Sequence, residues 1–444
     1  MWEKILSFFT DPILAAPMWA TMLMCLSASI VGVLMVVRRR ALLGEAISHT
    51  TYLGIALMIY FGADLFTASP WLFPIFVMMG AFISAMVGLM LILMMEKNFK
   101  VSPDSALCFV LSTFLGLGVL LASRLQFTQP LWSQKVQMFL YGQAATITSS
   151  NVIIYAILTV VLLLTLFSFY PSIVVLSFDR EYATTSKMNT LVVGVLIRTL
   201  LIASIVIGIR SVGVLMMAGM LIAPAAAAKM VVKRFSHVLI AAGIFGVLSG
   251  MLGNIASNVL SETLRESLTD FRVTFPTGPM ILITAVLFSV VIMLFAKKKG
   301  FIWRTLRRNR FRVVCTAENI LKRMLKEERP MRFSELTESL GISIRRSIRP
   351  LFRLYLRGHL SYEGGRFALS EAGALRAKKI VRLHRLWELY LFNELGVNAS
   401  EVHHSAEEME HILTPDIERE LTFRLGNPKK DPHDQIIPLI EEEV

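Results

Sequence analysis

The chain has 444 residues, 55% of them hydrophobic, and a formal net charge of +13, which excludes a single soluble domain and predicts at least two. Its three cysteines, Cys25, Cys108 and Cys315, are odd in number and far apart, so neither a disulfide framework nor a thiolate zinc cluster is implied. The apolar excess is confined to residues 18–296, where runs of about 17–21 residues recur, the length that a helix needs to cross a bilayer.

In chain order the expected spans are 18–37, 43–61, 73–95, 106–123, 152–170, 190–209, 211–230, 237–255 and 278–296. That makes eight or nine transmembrane helices, the break near 210 being the weakest. No cleavable signal peptide is recognised, and the first apolar run reads as retained. Basic residues mark the cytoplasmic side of a membrane. Arg38, Arg39 and Arg40, then Lys97 and Lys100, then Lys233 and Arg234, then Lys297, Lys298 and Lys299 fall on alternate loops. This pattern places the tail and the loop SFDREYATTSKMN (177–189) in the cytoplasm and the N-terminus outside. The domains expected are a membrane unit (1–296), a basic connector (297–313), a winged helix-turn-helix unit (314–375) and a helical metal-binding and dimerisation unit (376–444).

Within the second span, RRRALLGEAISHT (38–50) sets Glu45 and His49 four apart, on one face of a helix. Ionisable groups there are costly and line a polar path or pair with each other. A carboxylate with an imidazole suits Mn²⁺, Fe²⁺ or Zn²⁺ better than Ca²⁺ or K⁺. The competing reading is a local Glu–His hydrogen bond at the membrane surface. Pro224 and the alanines 225–228 read as a kinked, closely packed helix rather than as ion ligands.

Four motifs in this half resemble, in order, those of the zinc/manganese/iron branch of bacterial ABC-transporter permeases: GEAISHT, SFDREYA (177–183), SVGVLMMAGMLIAPAAAA (211–228) and FPTGPMILI (275–283). The resemblance implies a multi-pass inner-membrane permease, working with a second copy or paralogue around a central ion path. Glu45 and His49 match its ion-coordinating positions, Glu45 replacing the family's usual Asp. Phe178, Asp179 and Glu181 match the loop that meets an ATPase subunit. A periplasmic metal-binding protein would deliver the ion. No G-x-x-x-x-G-K-[ST] or His-Glu-x-x-His occurs, so the chain is not expected to be its own ATPase or a metalloprotease; a partner subunit would hydrolyse ATP.

The tail divides by charge, with about 24 basic and 7 acidic residues over 297–385, then about 4 and 14 over 386–444. Residues 329–360 read as helix, glycine turn, helix, with Phe333, Leu336, Leu340, Ile344 and Ile348 as apolar positions. SYEGGRFALS (361–370) follows as a two-stranded wing. Ser343, Arg345, Arg346 and Arg349 then belong to a helix suited to the major groove of operator DNA, with Pro350 an awkward interruption. A basic domain lying on anionic lipid is the competing reading. His384 and Glu388 in HRLWE are four apart. In EVHHSAEEMEH (401–411), His403, Glu407, Glu410 and His411 share one helical face, a nitrogen and oxygen donor set suited to Mn²⁺ or Fe²⁺.

TAENIL (316–321), the winged helix, HRLWE, EVHHSAEEMEH and DPHDQIIP (431–438) together resemble the diphtheria-toxin-repressor family of metal-dependent regulators. The resemblance implies one metal site at His384, Glu388 and His403 and another at Glu407, Glu410 and His411. Asn319 stands where a Met or Asp ligand is usual, and the neighbouring Glu318 can substitute. No third, SH3-like domain is expected after DPHDQIIP. The order, permease then repressor, resembles the chlamydial-type fusion. It implies a dimeric repressor. A repressor tethered to a membrane finds DNA poorly, so proteolysis of the exposed polar connector is expected to release the tail; in the alternative, the tail stays attached and gates transport without DNA.

Overall fold

The computed structural model describes residues 8–68, 72–267, 275–297, 299–398 and 414–438, together with Ala406, Met409 and His411. The chain divides into two compact units, Met1–Trp303 and Arg304–Val444.

The first unit is helical throughout its described length. Its long helices are α1 (Pro12–Val37), α2 (Ala41–Ala68), α3 (Phe73–Lys97) and α4 (Pro103–Thr128), then α5 (Pro130–Tyr141), a 3₁₀ turn at Ala144–Thr146 and α6 (Ser149–Ser168). Two short helices, α7 (Tyr170–Phe178) and α8 (Arg180–Thr185), lead into α9 (Thr190–Val212), α10 (Val214–Val231), α11 (Phe235–Ser267) and α12 (Thr277–Phe295). Among the described residues, nine helices are long and apolar enough to cross a membrane, α5, α7 and α8 not being among them. The expected span 237–255 extends to Ser267, with the Asn258, Ser261 and Thr263 side chains each donating to the carbonyl four residues earlier.

The break expected near 210 falls at Gly213, whose φ of +91° ends α9 and starts α10. Gly142, with φ +75°, ends α5 against it. A Cβ on Gly213 would lie 2.5 Å from the Tyr141 carbonyl carbon, and one on Gly142 2.3 Å from that of Val212. Gly278 closes the same junction, since its Cβ would stand 2.7 Å from the carbonyl oxygens of both Tyr141 and Val212. Thr277 Oγ1 accepts the Ala144 amide at 3.0 Å. The Pro-Thr-Gly-Pro stretch is thus a backbone clasp between three helix ends. Small residues also seat α11 on α1, where a Cβ on Gly246 would meet Ser29 Oγ at 2.1 Å, a close approach typical of membrane helices.

The second unit contains α13 (Phe301–Glu327), nearly all of which belongs to it, α14 (Phe333–Ser339), α15 (Ile344–Leu356), the hairpin β1 (Leu360–Glu363) and β2 (Arg366–Leu369), α16 (Glu371–Leu395) and α17 (Pro415–Arg424). Gly364 and Gly365 both take positive φ, 55° and 78°, as a two-residue hairpin turn requires. Glu363 pairs with Arg366, and Met331 adds an antiparallel bridge to Phe367. The core gathers Ile320, Leu321 and Met324 of α13 with Leu336, Leu351, Leu354 and Ile380. The connector expected at 297–313 is helical from Phe301 onward, because its arginines and Leu306 are good helix formers. α15 runs on through Pro350, which is buried. Ile344 and Ile348, expected in the core, are instead 57% and 51% exposed, and Ser347, Pro350, Leu351 and Leu354 face inward.

Candidate metal sites and nucleic-acid interface

Helix α2 is gripped on several sides. A Cβ on Gly44 would meet Leu221 of α10 at 2.9 Å, Gly88 of α3 stands against Thr50, and Gly118 of α4 against Tyr52. This packing buries a polar stretch. Ser48, Thr50 and Thr51 donate their hydroxyls to carbonyls of their own helix, and Ser84 donates to the Thr50 carbonyl at 2.6 Å. His49 lies among them, 6% exposed, and its Nδ1 has no hydrogen-bond partner among the described residues. Glu45, half-buried, is one turn earlier on the same helix. A buried polar atom without a partner in a membrane span asks for an explanation, and a cation that accepts a nitrogen lone pair supplies one.

Between α7 and α8, Asp179 caps α8 by accepting the Tyr182 amide at 2.8 Å. Its side chain therefore has a local task. Phe178 is 62% exposed while its ring meets Phe235 edge-on, and Glu181 is exposed in the first turn of α8. Tyr182 projects beside them and was not singled out from the sequence, where its alternation with Ala183, which is buried, is the only signal.

In the second unit, His384 and Glu388 sit on the inner face of α16, 4% and 2% exposed, with Nε2 and Oε1 3.1 Å apart. Lys322 Nζ from α13 lies 3.2 Å from His384 Nδ1. These residues border a cavity of about 540 Å³, whose rim includes Lys378, Arg385 and His433. On the neighbouring turn of α13, Glu318 holds His411 Nδ1 at 2.8 Å and also pairs with Arg376. Burial raises the Glu318 carboxyl and is the largest single influence, but hydrogen bonds and charge from His411 and Arg376 outweigh it and hold the group below its ordinary range. His403, Glu407 and Glu410 lie outside the described residues.

The structure thus brings Glu318 to His411 and His384 to Glu388. Among the described residues no three such donors converge. Imidazole nitrogen and carboxylate oxygen nonetheless fit a divalent cation of the Mn²⁺, Fe²⁺ or Zn²⁺ kind, and the cations Lys322 and Arg376 stand beside them. Sequence reasoning missed both. Lys322 follows the TAENIL motif by one position, and Arg376 lies two turns before HRLWE, so only tertiary pairing reveals them. Asp431 of DPHDQIIP is a turn organiser, accepting the His433 and Gln435 amides at 2.9 and 2.8 Å and facing Arg385 at 3.5 Å.

Ser343 begins α15 as its N-cap residue, and Arg345, Arg346 and Arg349 are exposed along it. The same exposed side carries Ile344, Ile348 and Phe352. Together with Tyr362 of the hairpin, Ile348 and Phe352 border an apolar groove of about 470 Å³.

Residues 370–439 match the iron dependent repressor, metal binding and dimerisation domain. A probable metal transport system membrane protein of Chlamydia trachomatis serovar D is 33% identical over 445 residues, covering 97% of each chain. The manganese transport system membrane protein MntC of Bacillus subtilis is 28% identical over 383 residues, 84% of this chain and 83% of its own. PsaBC from Streptococcus pneumoniae, solved in complex with Fab, shares the fold of the membrane unit, with a TM-score of 0.57 and 22% identity over 67% of this chain and 98% of that one. Residues 10–296 match the ABC 3 transport family, so the chain, a multi-pass membrane protein with a repressor-type metal-binding domain behind its spans, belongs to that family.

Proposed function

We propose that the membrane unit is the permease of an ATP-driven importer of Mn²⁺, Fe²⁺ or Zn²⁺ and that the second unit is a metal-dependent transcriptional repressor of the uptake genes. The observation that carries the transport reading is His49, buried in α2 with an unpartnered Nδ1 one turn from Glu45. These two residues hold the cargo ion in transit. A periplasmic protein delivers it, a second permease subunit completes the path, and a separate ATPase docks on Phe178, Glu181 and the helix capped by Asp179. The relatives named as metal and manganese transport proteins support the class of cargo.

In the tail, Mn²⁺ or Fe²⁺ binds His384 and Glu388 with His403, and Glu318 with Glu407, Glu410 and His411. Binding orders a dimer whose Arg345, Arg346 and Arg349 meet operator DNA. Release by proteolysis falls in the basic connector 297–313, where Lys297 and Lys299 are exposed. The test is uptake in proteoliposomes that contain this chain, an ATPase subunit and a binding protein. ATP-dependent accumulation of Mn²⁺, Fe²⁺ or Zn²⁺ that is lost in His49→Ala supports the reading; uptake unaffected by that change rejects the ion path.

A second reading has its own support. The exposed Ile344, Ile348 and Phe352 are unusual on a helix meant for phosphates, and suit a tail that acts as a metal-sensing gate on transport without binding DNA. Metal-dependent retention of upstream DNA by the full chain on a filter separates the two.

A further inference from the structure

An apolar groove of about 280 Å³ runs between α3 and α9, walled by Met86, Met90 and Leu93 on one side and Val195 and Thr199 on the other. Met90 is 72% exposed, so the groove opens on the outside of the helix bundle. Arg198 belongs to the same wall. It stands eight residues into a membrane span, roughly 12 Å along the helix axis from Thr190. Among the described residues no carboxylate forms an ion pair with it. Glu96, whose field reaches Arg198, is already engaged by Arg40 Nη1 through both oxygens, at 2.7 and 3.0 Å. Arg38 in turn lies in the field of Arg198, Arg40 and Arg180.

Positive charge therefore accumulates at this end of the bundle beside a trough with an apolar lining. A guanidinium in lipid calls for an anion, and an outward-facing apolar trough calls for a hydrocarbon chain. One molecule offers both. Basic pockets between membrane helices take the headgroups of anionic lipids. A zwitterionic lipid carries its own ammonium, which the neighbouring arginines repel.

We infer that this groove binds one anionic phospholipid, its phosphate on Arg198 with added charge from Arg38, and an acyl chain along Met86, Met90 and Val195. The lipid fixes the end of the bundle at which Arg180 opens α8. Nothing in the transport reading requires this site, and it stands if that reading falls.

The test is native mass spectrometry of the full chain, delipidated and then equilibrated with phosphatidylglycerol or phosphatidylcholine of identical acyl chains. One phosphatidylglycerol is expected to remain bound per chain, with phosphatidylcholine retained at least roughly fivefold less. Arg198→Gln brings retention of the anionic lipid down to that of phosphatidylcholine, whereas Arg198→Lys keeps most of it. Met90→Trp fills the groove without altering charge and lowers retention as well, which keeps the test informative if Arg198→Gln fails to fold. Arg124→Gln, on α4, leaves retention unchanged. Equal retention of the two lipids, unchanged retention in Arg198→Gln or Met90→Trp, or a loss in Arg124→Gln as large as in Arg198→Gln would overturn the site. So would disulfide cross-linking of Met90→Cys between two chains in the absence of lipid, since a second copy would then cover this face.

Discussion

Glu318 and His411 meet at 2.8 Å although 93 positions separate them in the chain. The contact joins α13 to the acidic part of the second unit, and Arg376 of α16 takes the other side of the same carboxylate. Three segments therefore depend on one buried charge.

That dependence gives a pH prediction. The folded Glu318 carboxyl lies below its ordinary value of 4.5, so its contribution is fully present above that value and is lost as pH falls through the lower, folded one. Glu318→Gln should cost about 1–3 kcal/mol near neutrality, since His411 and Arg376 lose a charged partner. It should also weaken the acid dependence of the unit. Hydrogen exchange of peptides from α13 and α16 in the full chain, at neutral pH and at a pH below 4.5, checks both. Parallel acid profiles for the variant and the parent would refute the assignment.

Lys322 yields a prediction of opposite sign. Its ammonium lies 3.2 Å from His384 Nδ1, and a divalent cation near that imidazole must contend with its charge. Lys322→Met should therefore tighten Mn²⁺ binding by the full chain, by about tenfold or more. Titration calorimetry against His384→Ala, in which binding falls, reads the change. If Lys322→Met binds less tightly than the parent, the lysine supports the site instead of opposing it.

The legibility of this protein follows from periodicity. Long apolar runs predicted the membrane helices, and Gly364-Gly365 predicted the hairpin, because both signals are local. The Glu45–His49 and His384–Glu388 pairs were visible because one helical turn joins their members. The clasp of Gly142, Gly213 and Gly278 was not, since its glycines come from three helix ends and meet only through packing. Nor was the orientation of α15. Ile344 and Ile348 repeat every four residues as a core face does, yet the buried Ser347, Leu351 and Leu354 repeat almost as well. Spacing cannot choose between two faces of similar period, and the helix turned Ile344, Ile348 and Phe352 outward.

The clasp makes its own forecast. At φ +91° an L side chain is strained, and a Cβ on Gly213 would overlap backbone of Tyr141 rather than a flexible side-chain end. Gly213→Ala should cost about 1–3 kcal/mol and lower the thermal midpoint of the detergent-solubilised chain. Gly116→Ala, which meets nothing within 4 Å, is the matched control and should not destabilise the chain. Equal losses in both variants would contradict the clasp.

For the ion path, Glu45→Asp restores the family's usual residue with an arm one methylene shorter. It should keep transport while changing the relative rates for Mn²⁺, Fe²⁺ and Zn²⁺, because reach affects the geometry each ion accepts. His49→Ala should raise the concentration needed for uptake by at least the roughly 10–100-fold that loss of even an outer metal partner costs. Competition uptake in proteoliposomes measures both. Identical metal preference in Glu45→Asp would argue that the carboxylate serves the helix rather than the ion.

The two roles offered for α15 predict different consequences for adjacent residues. If the helix meets DNA, Arg345→Ala and Arg349→Ala should weaken binding to all sequences and each lower the salt slope by about 1, the signature of a lost phosphate contact. Ile348→Ser, which removes exposed apolar surface without removing charge, should then leave DNA retention nearly intact. If the helix is the contact face of a gate, the order reverses. Ile348→Ser would abolish inhibition of uptake by internal metal, and the arginine variants would change it little. Filter retention of upstream DNA and metal-loaded proteoliposome uptake, measured on the same three variants, give each reading an outcome that the other forbids.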